Sequence, residues 1–340
     1  MKDWKIFTGE GTPHDALKDL PPPPPWRFAR PQLALDVNEA RPADGGEAHR
    51  ALPFIVSEPM KLAVNAALYL RRPLLLTGKP GTGKSTLIAK VAHELKLGPV
   101  LRWPINSRST VRSGVYEYDA VARLQASKDS TPAVEEYLKL GPLGTALMAE
   151  HWPRALLIDE IDKSDLDFAN DLLNVIEEGE YEIAELSRLG HDGVQVRDAD
   201  KRLVSVPRGR IVCDQFPFVV MTSNAEREFP APFLRRCVRL SIDPPNREQL
   251  AAIVDSHLAR YVQARPAGAP RKAPSREDID KLIADFDTQR KENKEVSTDQ
   301  LLNAVFLTVA VRDSEARSFT PDELTQLRAH LTEPLSGPGG

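Results

Sequence analysis

Cysteine is almost absent. The chain of 340 residues has two, Cys213 and Cys237, too few for a disulfide framework and without the CxxC spacing of a zinc site. Both read as small buried or half-buried side chains. An excess of one charge is lacking too. The 45 Lys and Arg stand against 49 Asp and Glu, a formal net charge of −4, which gives no global pull toward nucleic acid or an anionic membrane. No apolar run reaches the ~18 residues of a membrane span, and Met1-Lys2-Asp3-Trp4 lacks the apolar stretch of a signal peptide. Together these absences predict a cytoplasmic protein with no membrane insertion. No internal repeat is visible. What is present is a 41% apolar fraction beside 28% charged residues, enough to bury a sizeable core in a chain long enough for two domains.

Residues 1–50 are poor in aliphatics and carry an unbroken proline run from Pro21 to Pro25, which favours an extended polyproline II arm. Trp4, Phe7, Trp26 and Phe28 flank it. Two readings stay open: a strap docked on a surface, a neighbouring subunit's included, or an extended, partly disordered tail. Residues 51–245 read as an α/β domain. Pro73–Thr77, Val100–Trp103, Ala155–Ile158 and Phe218–Thr222 are short strands, apolar on both faces, with Val238–Ile242 as the candidate fifth. Helices fit at Glu58–Tyr69, Lys84–Leu95 and Asp165–Glu178, and the alternation predicts a parallel sheet covered on both sides. Between Tyr181 and Cys213, Tyr181–Leu186, Val194–Val196, Leu203–Val206 and Arg210–Cys213 alternate around Gly190, Gly193, Asp198 and Gly209, which predicts an inserted β-hairpin or small meander at 181–213. After Pro245 the strands stop. Arg247–Val262, Arg276–Arg290, Thr298–Val311 and Pro321–Leu331 read as helices of a second domain over 246–335, with Ser297 an N-cap and 336–340 a tail.

The chemistry starts at Gly78-Lys79-Pro80-Gly81-Thr82-Gly83-Lys84-Ser85, which follows an apolar strand and opens a helix. Its glycines let backbone N–H groups converge on phosphates at the positive end of that helix. Lys84 offers a charge to the β- and γ-phosphates, Ser85 a hydroxyl to Mg²⁺, and Thr86 completes the set of candidate contacts. The pattern predicts nucleoside triphosphate binding with Mg²⁺. A second element, Leu156-Leu157-Ile158-Asp159-Glu160, places carboxylates at the C-terminal end of a buried strand, beside the phosphate loop. Asp159 would hold Mg²⁺ and Glu160 would polarise the attacking water, so hydrolysis is expected as well as binding. Asn224, ending the strand in Thr222-Ser223-Asn224, can bond the γ-phosphate or the water. Arg235 and Arg236, just before the last strand, are candidates for an arginine finger.

With these four elements in this order, the chain resembles the AAA+ ATPases, and among them the MoxR-like group, over about residues 52–312. Arg72-Pro-Leu-Leu-Leu-Thr-Gly78, Gly141-Pro-Leu-Gly-Thr-Ala-Leu, Asp159-Glu-Ile-Asp162-Lys-Ser and Thr222-Ser-Asn-Ala carry the resemblance. It implies a P-loop three-layer sandwich with a five-stranded parallel sheet, an inserted hairpin and a C-terminal helical lid. It also implies ATP bound at the interfaces of a homo-oligomeric ring, usually of six, with Arg235 or, by preference, Arg236 acting in trans. Remodelling of a partner protein follows from the same resemblance, often one with a von Willebrand factor A domain. The lid residue that such proteins point at the γ-phosphate is not distinct, Lys294 being the nearest candidate. The stretch Ser107–Leu140, with Tyr116, Tyr118 and Tyr137, is either a pore- or partner-facing insertion or a packed surface loop. A nucleic-acid-directed or restriction-type NTPase motor, with GTP as a further option, is the rival reading. The acidic balance and the lack of a basic, aromatic-bearing stripe weigh against it. A non-hydrolysing switch is weighed against by Lys84, Asp159, Glu160 and Asn224.

Overall fold

A computed structural model describes residues 4–27, 34–43, 45–126, 133–263, 276–291 and 296–312, with isolated positions between 323 and 331. The chain divides into two compact units. Pro53–Ile55, Gly78–Gly83 and everything from Ile242 onward form the second, and the rest of the chain forms the first.

In the first unit five parallel strands stand in the order Val238–Ser241, Leu74–Thr77, Phe218–Ser223, Ala155–Asp159, Leu101–Pro104. The register sets Leu74 beside Val220, Val220 beside Leu157, and Leu156 beside Leu101. Residues such as Leu74, Leu76, Leu156, Ile158 and Val219 are wholly buried, as strands covered on both faces require. The helix Glu58–Leu70 leads into the first strand, and Lys84–Glu94 and Leu166–Glu178 run between later ones. The last shows how local sequence sets its limits. The Asp165 carboxylate accepts from Phe168 N at its start, and Gly179, at φ 66°, ends it, a side-chain N-cap and a left-handed C-terminal residue. The fold is therefore the expected α/β sandwich, with the inserted hairpin Val194–Arg197/Leu203–Val206 and helices after Ile242.

The insertions differ from the sequence reading in one respect. Tyr181–Leu186 does not continue as a strand. Glu180–Glu182 pairs with Arg210–Val212, and the chain then turns into a short helix, Ala184–Ser187. Ile183 and Leu186, both fully buried, are spaced for a helical turn and not for one face of a strand. The two insertions also fold together. Tyr116–Tyr118, Leu138–Leu140, Val194–Arg197 and Leu203–Val206 make one four-stranded sheet in that order. Tyr116 is buried in it, edge-on to Tyr181, and its hydroxyl donates to Glu185. Of the two readings for Ser107–Leu140, packing describes Tyr116, while Tyr118 and Tyr137 are half-buried.

The N-terminal arm lies on the first unit of its own chain. Ile6, Phe7 and Leu17 are buried. Asn65, on Glu58–Leu70, accepts from Ile6 N (2.7 Å) and Phe7 N (3.0 Å) and donates to Phe7 O (2.8 Å). The Glu94 carboxylate accepts from Thr8 N (2.6 Å), Thr8 Oγ1 (2.9 Å), Gly9 N (3.1 Å) and Gly11 N (2.8 Å). Further on, a helix at Gly45–Ala51 brings Glu47 to accept from Val100 N (2.8 Å). Trp26 is exposed, and Phe28 lies outside the described residues.

The second unit has helices Arg247–Gln263, Arg276–Lys291 and Thr298–Arg312 around Leu250, Val254, Ile283, Phe286 and Leu301. Ser297 caps the last. Its N–H donates to Gln300 Oε1 (2.8 Å) and its Oγ accepts from Gln300 N (3.4 Å). Lys294 and most of the expected helix Pro321–Leu331 lie outside the described residues, as does the tail 336–340. Among the described residues no helix is long and apolar enough to cross a membrane.

Candidate functional site

The loop 78–83 leaves the strand Leu74–Thr77 in a conformation only glycine adopts freely. Gly78 has φ 148°, and a Cβ there would stand 2.4 Å from the Ile242 carbonyl oxygen. Gly83 has φ 85°, and a Cβ there would meet the Phe54 ring at 2.5 Å. Lys79, Pro80 and Gly81 are exposed, Thr82 is half-buried, and the Thr82 hydroxyl donates to Lys79 O (3.0 Å). Lys84, Ser85 and Thr86 then form the first turn of the helix Lys84–Glu94.

Three strand ends meet beside that turn. Lys84 is 8% exposed, and its ammonium donates to Asn224 Oδ1 (2.8 Å). Burial pulls its pKa below the ordinary lysine value, opposed by the charges of Asp162, Asp159 and Glu160. That is a cation held in place before any anion arrives. Ser85 Oγ donates to Asp159 Oδ1 (3.1 Å). Thr222, one strand over, donates its hydroxyl to the same Asp159 oxygen and accepts from Glu160 N (2.9 Å). A single hydroxyl thus ties the strand end Thr222 to both acids.

Glu160 sits in left-handed backbone (φ 60°, ψ 48°), an unusual place for a residue with a Cβ. Its carboxylate is 41% exposed and pairs with Lys163. Asp162, nearly buried, fixes the loop that carries Asn224: its Oδ2 accepts from Asn224 N (2.9 Å) and Glu226 N (3.2 Å). Its Oδ1 is buried with no partner among the described residues.

The two arginines differ. Arg236 is half-buried, with Nε 3.1 Å from Glu177 Oε2 and Nη1 donating to Asn174 Oδ1 (3.0 Å). Glu177 also takes Arg27, from the end of the polyproline arm, at 3.1 Å. Arg235 is exposed, and its carbonyl accepts from Arg72 Nη1 (2.7 Å). The structure thus gathers Lys84, Ser85, Asp159, Glu160 and Asn224 within one unit, and leaves Arg236 with Asn174 and Glu177 at the end of Leu166–Glu178 and Arg235 exposed. Asp162 and Thr222, which the sequence reading passed over as site residues, belong to the cluster. An acid two residues after Glu160 and a hydroxyl two before Asn224 were the signals available.

The family model for the AAA domain (dynein-related subfamily) matches residues 73–237. Over that span the chain is similar to this AAA domain. The match covers just under half of the chain, takes in the loop 78–86 and Asp159, Glu160 and Asn224, and ends one residue past Arg236. No curated protein matches the chain. The match supports an AAA+ ATPase, a family that generally binds ATP with Mg²⁺ and commonly assembles into rings. The residues Lys84, Ser85 and Asp159 fit that pair of ligands. A buried lysine, and a hydroxyl bonded to a carboxylate, are donors of the kind that a Mg²⁺-bearing polyphosphate needs.

Proposed function

We propose that this AAA domain hydrolyses ATP at the interfaces of a ring built from copies of the chain, in the manner of the MoxR-like group, and uses the cycle to remodel or activate a partner protein. The observation that carries the reading is the wired cluster Lys84–Asn224–Asp162 and Ser85–Asp159–Thr222–Glu160. In it a cation, an amide, two hydroxyls and three acidic residues are set by hydrogen bonds. Loop residues 78–83 would cradle the β- and γ-phosphates with backbone N–H groups. Lys84 would exchange its bond to Asn224 for the phosphate oxygens, and Ser85 and Asp159 would hold Mg²⁺, which neutralises charge on the phosphates when bound. Glu160 would swing from Lys163, accept the proton of the attacking water, and so act as general base. Asn224, on a loop pinned by Asp162, would orient that water.

Arg235 and Arg236 are proposed to complete a neighbouring protomer's site. Arg235 is exposed, whereas Arg236 is tied to Glu177 and Asn174. This makes Arg235 the one free to reach across as the protomer stands, and Arg236 the one that must first let go. The MoxR-like role and a partner bearing a von Willebrand factor A domain rest on the motif text alone.

Glu160→Gln tests the chemistry. ATP binding should persist while turnover falls by roughly 10²–10⁴, and equal turnover by variant and parent would remove Glu160 as base. Mixing Lys84→Ala with Arg235→Ala or Arg236→Ala subunits tests the trans arrangement. Neither variant should turn over alone, and the mixture should recover part of the activity. No recovery with either arginine would sink it.

A further inference from the structure

A cavity of about 260 Å³ in the first unit has no part in the nucleotide chemistry. Arg41 and Arg154 line it, both close against Gly98: a Cβ on that glycine would lie 3.3 Å from Arg41 Cβ and 3.4 Å from Arg154 Nε. The Arg41 backbone is fixed there by a parallel bridge to Leu97, with Arg41 N donating to Lys96 O (3.0 Å) and Gly98 N to Arg41 O (2.9 Å). Arg154 is 5% exposed. It donates from Nη1 to Asp200 (2.7 Å) and from Nη2 to Pro99 O (3.1 Å), but its Nε–H is buried with no partner among the described residues. A buried donor left in that state costs about 1–3 kcal/mol.

The lining is mixed in charge, Arg41 and Arg154 standing with Glu39, Glu150 and Asp198, so what it offers an anion is unmet donors and not an excess of positive charge. The Arg41 guanidinium has no hydrogen bond or ion pair among the described residues. Its pKa is pulled down by burial and then by Arg202 and Arg154, with Asp200 and Glu39 opposing. Asp200 is engaged by Arg154, Asp198 accepts from Arg202 N (2.8 Å) within its own turn, and Glu39 and Glu150 are exposed. Two guanidinium groups with unmet donors therefore share one cavity with no carboxylate bonded to both. Thr145 also lines it and accepts from Ala199 N (2.9 Å), its hydroxyl hydrogen having no acceptor among the described residues.

We propose that this cavity is a second ligand site, taking the phosphate or carboxylate head of a small anion between Arg41 and Arg154. An oxyanion there accepts from the buried Nε–H of Arg154 and from the Arg41 fork, and removes the repulsion between the two guanidinium groups. The site is separate from the phosphate loop. Arg154 precedes the first residue of the strand Ala155–Asp159, and Asp159 ends it, so the cavity lies at the opposite end of that strand from the nucleotide cluster. The five-residue strand alone separates them by about 13 Å at ~3.3 Å per residue. Because Arg41 belongs to the N-terminal arm, an occupant fastens the arm to the start of that strand.

The experiment uses the full chain carrying Lys84→Ala, which weakens phosphate binding at the loop, and titrates inorganic phosphate and malonate calorimetrically at matched ionic strength. At least one is expected to bind, and adding Arg41→Ala to weaken it at least about tenfold, the loss expected for charge-assisted hydrogen bonds. Arg41 is half-exposed, so this variant should fold. Arg154→Lys keeps a charge for Asp200 and lacks the Nε–H donor, and should weaken binding in the same direction. Binding of phosphate alone assigns a phosphorylated ligand, of malonate alone a carboxylate, of both the shared oxyanion chemistry. Binding of neither, or equal binding after Arg41→Ala, overturns the proposal, whatever the fate of the ATPase reading.

Discussion

Removing the Glu94 carboxylate should release the N-terminal arm and leave the sheet folded. Glu94 is completely buried and accepts from Thr8 N, Thr8 Oγ1, Gly9 N and Gly11 N at 2.6–3.1 Å. The three backbone donors make no other hydrogen bond among the described residues, while the Thr8 hydroxyl can rotate. Glu94→Gln keeps one oxygen and turns a second acceptor into a donor. One N–H, that of Gly11 in the simplest arrangement, is then left facing another donor, at a cost of about 1–3 kcal/mol. Glu94→Ala strands all three backbone donors, so about 3–9 kcal/mol if the arm were to stay in place. It need not stay. Once the cost exceeds what holds Ile6, Phe7 and Leu17 in their pockets, the arm detaches and its donors return to water, which caps the loss. Hydrogen exchange read by mass spectrometry is the direct assay. Peptides covering residues 6–11 should exchange slightly faster in Glu94→Gln and at near-random-coil rates in Glu94→Ala, with the strand Phe218–Ser223 as protected as in the parent. Undiminished protection of 6–11 in Glu94→Ala would refute the assignment of Glu94 as the arm's anchor.

Other expectations follow from the same contacts. Asp162→Ala removes the acceptor for Asn224 N and Glu226 N and should lower turnover about tenfold or more with a smaller change in ATP affinity, seen by comparing kcat with Kd. Gly78→Ala drives a Cβ to 2.4 Å from a backbone oxygen and should abolish binding of a fluorescent ATP analogue. Burial pushes the Cys213 and Cys237 thiols up to about 12. At pH 8 the thiolate fraction is then about one in ten thousand, and a thiol reagent should label neither until the protein is unfolded in denaturant.

The nucleotide half of the molecule was legible because its signals are local. Strands buried on both faces announce themselves as short apolar runs, and the phosphate loop is contiguous. Asp165 and Gly179 mark a helix's two ends within fifteen residues. Less legible were features that depend on distant partners. Nothing in the run from Ile6 to Gly11 says that its donors meet Asn65 and Glu94, more than fifty residues away. Asp162 reads as one more surface acid until it is seen to hold Asn224 N, 62 residues on. The turn at Ile183–Leu186 failed for a different reason. Six alternating residues satisfy the strand template, and only the burial of both Ile183 and Leu186 decides for a helical turn. Arg236 looked available because sequence shows no partner for an arginine. Glu177 supplies one.

The left-handed backbone at Glu160 carries a consequence for any attempt to improve this protein. A side chain with a Cβ in that conformation gives up about 1 kcal/mol or somewhat more relative to glycine. Glycine or asparagine at position 160 should therefore raise the melting temperature while eliminating the proposed base. Screens that select for heat resistance alone will drift toward inactive chains at this position, and only a screen that also demands turnover will keep the glutamate. Stability and activity are set against each other here at one residue, and the conflict lies in the main chain, where repacking of neighbouring side chains cannot reach it.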